Sequence, residues 1–343
     1  MAGKSAAAGP GKGEGMTLIG PLLIVYVVWG STYLALKVAV EHLPPLTLSA
    51  ARFLIAGLIL YAWCAWRRRR HPERRWRRPT ATEWRAGAVQ GLLLPAAGTG
   101  GATWAEQELS SGVTALLLAT IPLWMVVGTR IVDKEKITLP VGLGMAAGLA
   151  GVAVLVNPFG GAAPDPVAAA VALGGALCWG FGSAYGRHAP HPDQPLLTSA
   201  VEMICAGVAL ALLGGIGGEF GRIDLSSDVL GSVLAVGYLV VFGSLVAYTA
   251  YEWLLRNAPA RIAGTYAFVN PVVAVLLGWW LLDEPLGPRT VLAGVVIALA
   301  VALIVLGQRD RSAPAPSRKE PTVARELSGN SGTIRSTRSE GAG

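Results

Sequence analysis

The chain has 343 residues, 53% of them hydrophobic and 14% charged, with 44 Gly and a net charge of +7. This composition belongs to a polytopic helical membrane protein and excludes an ordinary water-soluble core. The positive charge gathers in one loop and in the stretch after Gln308, where it sets topology and attracts anionic lipid, so it requires no nucleic acid.

In chain order, residues 1–16 read as a polar, Gly- and Ala-rich N-terminal tail without the apolar region of a signal peptide. The first apolar stretch is then a retained helix. A helix needs roughly 20 apolar residues to cross the hydrocarbon core of a bilayer. That ruler predicts spans near 17–37, 46–66, 85–104, 112–131, 138–157, 167–187, 196–215, 228–254, 261–282 and 288–307. Breakers separate them, among them Pro44-Pro45, Pro79, Ser110-Ser111-Gly112, Asn157-Pro158, Pro190 to Pro195, Ala258-Pro259 and Pro285. From Arg67 to Arg78 eight Arg crowd one gap, which places that gap in the cytoplasm. The other inner gaps then hold Arg130, Lys134, Lys136, Arg187, Arg256 and Arg261, against little beyond Lys37, Arg222 and Arg289 outside. An even number of spans puts both termini in the cytoplasm and the protein in the cytoplasmic membrane. Residues 308–343, rich in Ser, Arg, Pro and Gly, read as a disordered cytoplasmic tail.

The chain repeats itself. Trp29-Gly30 returns 150 residues later as Trp179-Gly180, and Pro45, Leu46, Ser49, Ala50, Ala56 and Gly57 return as Pro195, Leu196, Ser199, Ala200, Ala206 and Gly207. Further on, at an offset of 149, Trp104 meets Trp253, Pro122 meets Pro271 and Glu135 meets Glu284. Five spans per half, 17–157 and 158–307, is an odd number, so the halves lie in the membrane with opposite orientation. The expected fold is all-α integral membrane, ten transmembrane helices as two inverted five-helix repeats. Inverted repeats suit carriers, because two such halves can exchange conformations and open a shared site to either side.

The stretches WGSTYLALKVAVEHLPPLTLSAARFLIAG, DKEKITLPVGLGMAAG and NPVVAVLLGWWLLDEPLGPRTVLAG resemble the EamA family of the drug/metabolite transporter superfamily, over about residues 17–307. The resemblance implies a ten-helix fold, a cavity between the halves, and transport of small metabolites or drugs, often outward. It also implies a Gly before the Glu that closes each Pro-to-Glu block; here Lys134 precedes Glu135 and Asp283 precedes Glu284.

A charge at membrane depth costs roughly 2.5–3.5 kcal/mol on insertion scales, so each one needs a reason. Arg52 and Glu202 occupy equivalent places in the two halves. Each is either a snorkelling charge near a membrane face or part of a cavity or gate. The resemblance supports Arg52 within its Arg-Phe pair. Tyr26, Trp29, Tyr33 and Lys37 form one helical face of the first span; Pro95, Thr99, Thr103 and Glu106, with Trp104 beside them, form one of the third. The eighth span offers Ser244, Tyr248 and Glu252 with Tyr251, and the ninth Tyr266 and Asn270. Polar groups in hydrocarbon must face protein or water, so these stripes are expected to converge on a cavity. Trp29, Tyr33, Arg52, Trp104, Glu106, Glu202, Tyr248, Tyr251 and Asn270 are the expected substrate-pathway residues.

Gly144 and Gly148, matched by Gly294 and Ala298, give small-xxx-small spacing for close helix packing within the chain or for a homodimer interface. The four His fall in predicted loops or at a span end, the three Cys inside apolar spans, and protease, Walker A and metal-site patterns are absent. No enzyme, metal or cofactor is expected. The reading is a secondary active transporter that exports a small metabolite, amino acid-like compound or drug by alternating access, with a proton or another coupling ion; a passive facilitator or channel and a non-transporting scaffold are the alternatives.

Overall fold

The computed structural model describes residues 12–70, 77–132, 134, 137–156, 164–223, 230–258 and 265–307. The predicted tail 308–343, Glu135, Asn157-Pro158, Arg261 and part of the Arg-rich gap lie outside them. Among the described residues the secondary structure is helical. The helices are α1 (Leu18–Val40, preceded by a turn or more from Lys12), α2 (Pro45–Arg70), α3 (Ala81–Gly91, continued by Leu92–Gly100 and Gly101–Ala105) and α4 (Ser111–Val132). There follow α5 (Leu139–Val156), α6 (Pro166–Gly186) and α7 (Pro195–Ile216). The last are α8 (Leu230–Tyr238, Leu239–Tyr248 and Thr249–Asn257), α9 (Tyr266–Leu281) and α10 (Pro288–Gly307). Six of them, α1, α2, α4, α6, α7 and α8, are long and apolar enough to cross a membrane; α5, α9 and α10 contain shorter apolar helices.

Local chemistry fixes the starts. Thr80 and Glu83 form a reciprocal capping box, Glu83 N–H donating to Thr80 Oγ1 at 3.2 Å and Thr80 N–H to Glu83 Oε2 at 2.7 Å. This cap starts α3 at Ala81, four residues before the apolar run begins. Ser110 caps α4 and Asp165 caps α6 through side-chain acceptors. Pro166 and Pro195 open α6 and α7, where the missing N–H costs nothing. At the other end α2 runs on to Arg70, with Arg67 over the Trp63 ring and Arg70 over the Trp66 ring. The long Arg stems let the helix leave the apolar zone without breaking.

The two halves meet along α2 and α7. A Cβ on Gly57 would lie 2.9 Å from the Ile204 backbone nitrogen, and one on Gly207 would lie 2.8 Å from that of Leu54. Leu54 and Ile204 are themselves 150 residues apart, so the seam is self-complementary, as across a two-fold axis. The Trp-Gly pairs show the same relation. Gly30 admits Val273 and Gly180 admits Trp124, and these partners are 149 residues apart. Gly144, Gly148 and Gly151 of α5 lie against Ala300, Ile304 and Ile297 of α10, so that stretch of small residues is filled from within the chain. Large apolar side chains such as Leu212, Ile216, Trp280 and Leu299 face outward, the surface a bilayer covers.

Three stretches are π-helical: Val25–Trp29 in α1, Leu92–Gly100 in α3 and Leu239–Tyr248 in α8. The last two stand at nearly equivalent places in the repeats. Pro95, which lacks an N–H, sits inside the first of them. Such wide turns recur at functional sites because they re-aim side chains and free carbonyls.

Candidate functional site

The three π-helical stretches converge where the repeats meet. Trp29 and Trp179 contact edge to face with centroids 5.6 Å apart, and Tyr251 and Tyr266 pack on Trp29 at 4.9 and 5.4 Å. The Trp29 indole donates to the Gly243 carbonyl at 3.2 Å. Around this cluster lies a space of about 50 Å³ lined by Trp29, Thr32, Tyr33, Leu36, Arg52, Phe53, Thr99, Ala102, Leu118, Ile121, Trp179, Tyr248, Tyr266 and Asn270. It holds a few water molecules at most.

Arg52 supplies the positive charge of the wall. It is buried, its Nε donates to Ser244 Oγ at 2.8 Å, and its Nη1 has no hydrogen-bond partner among the described residues. Gly243 makes this possible, because a Cβ there would lie 2.8 Å from Arg52 Nη2. One turn further along α8 the Tyr248 hydroxyl donates to Glu202 Oε2 at 2.6 Å. The two repeat-related charges, Arg52 and Glu202, are thus both held by α8, at Ser244 and Tyr248. Asn270, with its amide nitrogen turned inward, donates to the carbonyls of Tyr266 and Tyr26 at 3.2 Å each. This ties α9 to α1 beside Pro271, which lies inside α9 and lacks an N–H.

Of the expected pathway residues, Trp29, Tyr33, Arg52, Tyr248 and Asn270 line the space. Tyr251 stands behind Trp29, Glu202 behind Tyr248, Glu106 beyond the end of α3, and Trp104 off the wall. Trp179 and Tyr266 belong to the wall although they were not among the nine expected pathway residues; Tyr266 stood in the ninth-span stripe expected to face a cavity. The 150-residue relation to Trp29 is the signal that points to Trp179. A second space of about 270 Å³, between α4, α9 and α10, has Thr290 as its polar lining residue and otherwise offers only apolar contact.

Polar clips hold one end of the bundle. Glu219 accepts from Leu46 N–H at 3.3 Å, from Thr47 N–H at 2.7 Å and from Thr47 Oγ1 at 2.9 Å, capping α2. Glu284 accepts from Ser111 N–H and Ser111 Oγ, each at 2.8 Å, capping α4. The Lys37 ammonium donates to the Glu106 and Leu109 carbonyls at 2.7 and 3.0 Å. Glu219 and Glu284 come from the second repeat and their partners from the first.

A helical, two-repeat bundle with an Arg-bearing aromatic space between its halves defines a multi-pass membrane transporter. The sequence of the EamA-like transporter family matches residues 16–157 and again 167–306, and the chain belongs to that family. It is 40% identical over 294 residues to the uncharacterized inner membrane transporter YedA of Escherichia coli K12, spanning 85% of this chain and 92% of that protein. It is 24% identical over 285 residues to the uncharacterized transporter YvbV of Bacillus subtilis, spanning 83% and 90%. A solved crystal structure shares the fold with a TM-score of 0.59 and 20% sequence identity, spanning 87% of this chain and 99% of that one.

Proposed function

We propose that the protein is a secondary active carrier that exports a small amino acid-like compound across the cytoplasmic membrane by alternating access. All ten helices cross the bilayer, the halves are inverted, and both termini are cytoplasmic. The observation that carries the substrate reading is the free Nη1 of Arg52 on the wall of an aromatic space. A guanidinium with a spare donor binds a carboxylate, and Trp29, Trp179, Tyr248 and Tyr266 offer ring faces to an apolar body or an ammonium group.

The small volume supports alternating access. A substrate of amino-acid size needs several times about 50 Å³, so the halves must part before it enters. With the Arg-rich gap inside, the clips made by Lys37, Glu219 and Glu284 all lie at the outer ends of their helices. This supports a conformation closed to the outside, with all three clips to break before the outer side opens.

L-phenylalanine serves as the first probe. Full-length protein in liposomes is expected to exchange it with saturation and counterflow. Flux without saturation or counterflow would indicate a facilitator, and no flux with any amino acid, nucleoside or cationic drug tried would indicate a scaffold.

A further inference from the structure

Glu106 is completely buried at the end of α3, and neither of its carboxyl oxygens has a hydrogen-bond partner among the described residues. The nearby Lys37 ammonium does not meet this need, because it is held by the carbonyls of Glu106 and Leu109. The titratable groups that face the carboxyl are Lys37 and Tyr33 from α1 and Glu284 from the turn after α9. A dry carboxylate without a hydrogen bond is far less stable than the neutral acid, so a group in this setting takes up a proton.

Its position gives that proton a purpose. Glu106 follows Ala102 by four residues, one helical turn past the wall of the central space, and lies behind Tyr33, whose ring forms part of that wall. Lys37 has a basic counterpart in the second repeat, Arg187, but the position equivalent to Glu106 is Leu255. A group present at one end only of an inverted pair responds to the opening of that end alone.

We propose that Glu106 is a proton-binding site linked to the outer gate. In the closed form the carboxyl keeps its proton. When the outer end opens, water reaches it and Lys37 leaves the two carbonyls; the O–H bond then breaks, the proton passes to external water, and the carboxylate pairs with the Lys37 ammonium, which stays charged. Opening lowers the proton affinity of the site, so a rise in pH favours the open form. The coupling of this step to substrate movement rests on the carrier reading; the proton site does not.

Infrared difference spectra of full-length protein in liposomes, recorded against pH without substrate, test the site. Wild type is expected to show the carbonyl stretch of a buried carboxylic acid that disappears as pH rises. Glu106→Gln should lose that band, Glu106→Asp and Glu202→Gln should keep a titrating one, and Lys37→Met should move the loss to higher pH. An unchanged band in Glu106→Gln overturns the proposal, and so does an unshifted titration in Lys37→Met. The gate is read separately with Leu36→Cys on the wall, the native Cys64, Cys178 and Cys205 being replaced by Ala. Labelling by a membrane-impermeant maleimide from outside should rise several-fold with pH and become independent of pH when Glu106→Gln is added. The same pH profile in both backgrounds overturns the link. If no amino acid moves in liposomes while the titration follows expectation, the carrier reading fails and the proton site stands.

Discussion

Trp29 and Trp179 are 150 residues apart in the chain and meet edge to face, centroids 5.6 Å apart, where the two repeats join. Each is followed by a Gly that admits a residue of the other repeat, Val273 beside Gly30 and Trp124 beside Gly180. The pair therefore acts as both the centre of the packing and the wall of the site. Truncating a buried Trp to Ala costs about 3–5 kcal/mol, which would confound any assay of function. Trp29→Phe is the cleaner change, removing the bond to the Gly243 carbonyl for about 1 kcal/mol while keeping an aromatic ring. It is expected to leave membrane abundance near wild type and to lower L-phenylalanine counterflow several-fold. Tyr33→Ala, at a half-buried wall position, should do the same; loss of protein in step with activity would mark both as packing residues only.

Lys134 and Asp283 are the described non-glycine residues with left-handed backbone, φ 54° and 52°, and they occupy equivalent places before Glu135 and Glu284. The family resemblance implies Gly there, and the geometry shows why: a left-handed residue with a Cβ costs roughly 1–2 kcal/mol. Lys134→Gly is expected to raise the thermal midpoint of the purified protein. Asp283→Gly should raise it less, because Asp tolerates this conformation better than Lys. A fall in either midpoint would mean that the side chain contributes more than the strain removes.

Glu284 shows what that turn is for. Its N–H donates to the Gly278 carbonyl at 3.1 Å, closing α9, while its carboxylate crosses to cap α4. Gly278 leaves the passage, since a Cβ there would collide with the Glu284 carboxylate and with Ser111 Oγ. Glu284→Ala is expected to lower stability by about 2 kcal/mol, the range for losing charged hydrogen bonds at a helix start. If the clip also closes the outer side, Glu284→Ala should speed maleimide labelling of Leu36→Cys from outside. Gly278→Ala should mimic both effects, and a stability loss without faster labelling would reduce Glu284 to a cap.

Much of this was legible in the sequence. Apolar runs mark the helices, the offsets of 150 and 149 mark the repeats, and the stripe Trp29–Tyr33 points to the wall. Periodicity gives the face of a helix but not its depth, which is why Tyr251 of the eighth-span stripe lies one layer back, behind Trp29, and why the lone charge Glu202 lies behind Tyr248. The π-helical turn of α8 carries no composition signal, and its wider turn changes which of Ser244, Tyr248 and Tyr251 reaches inward. Glu284 read only as a repeat marker, because its partner Ser111 is 173 residues away.

Arg52 offers the sharpest test of the substrate reading. Its Nε is held by Ser244, its Nη2 lies against Gly243, its guanidinium stands 4.9 Å from the Phe53 ring centre, and Nη1 remains for a ligand. Lys keeps the charge but replaces the planar fork with a single ammonium, so it cannot bond Ser244 and a carboxylate in the same geometry. Arg52→Lys should therefore fold, and should weaken L-phenylalanine binding, read by quenching of Trp fluorescence, by about tenfold, or about 1.4 kcal/mol. Arg52→Gln should abolish it. Phenylethylamine, which lacks the carboxylate, should bind wild type poorly and lose nothing in Arg52→Lys. Equal loss for both compounds would show that Arg52 supports the fold of the site without touching the carboxylate.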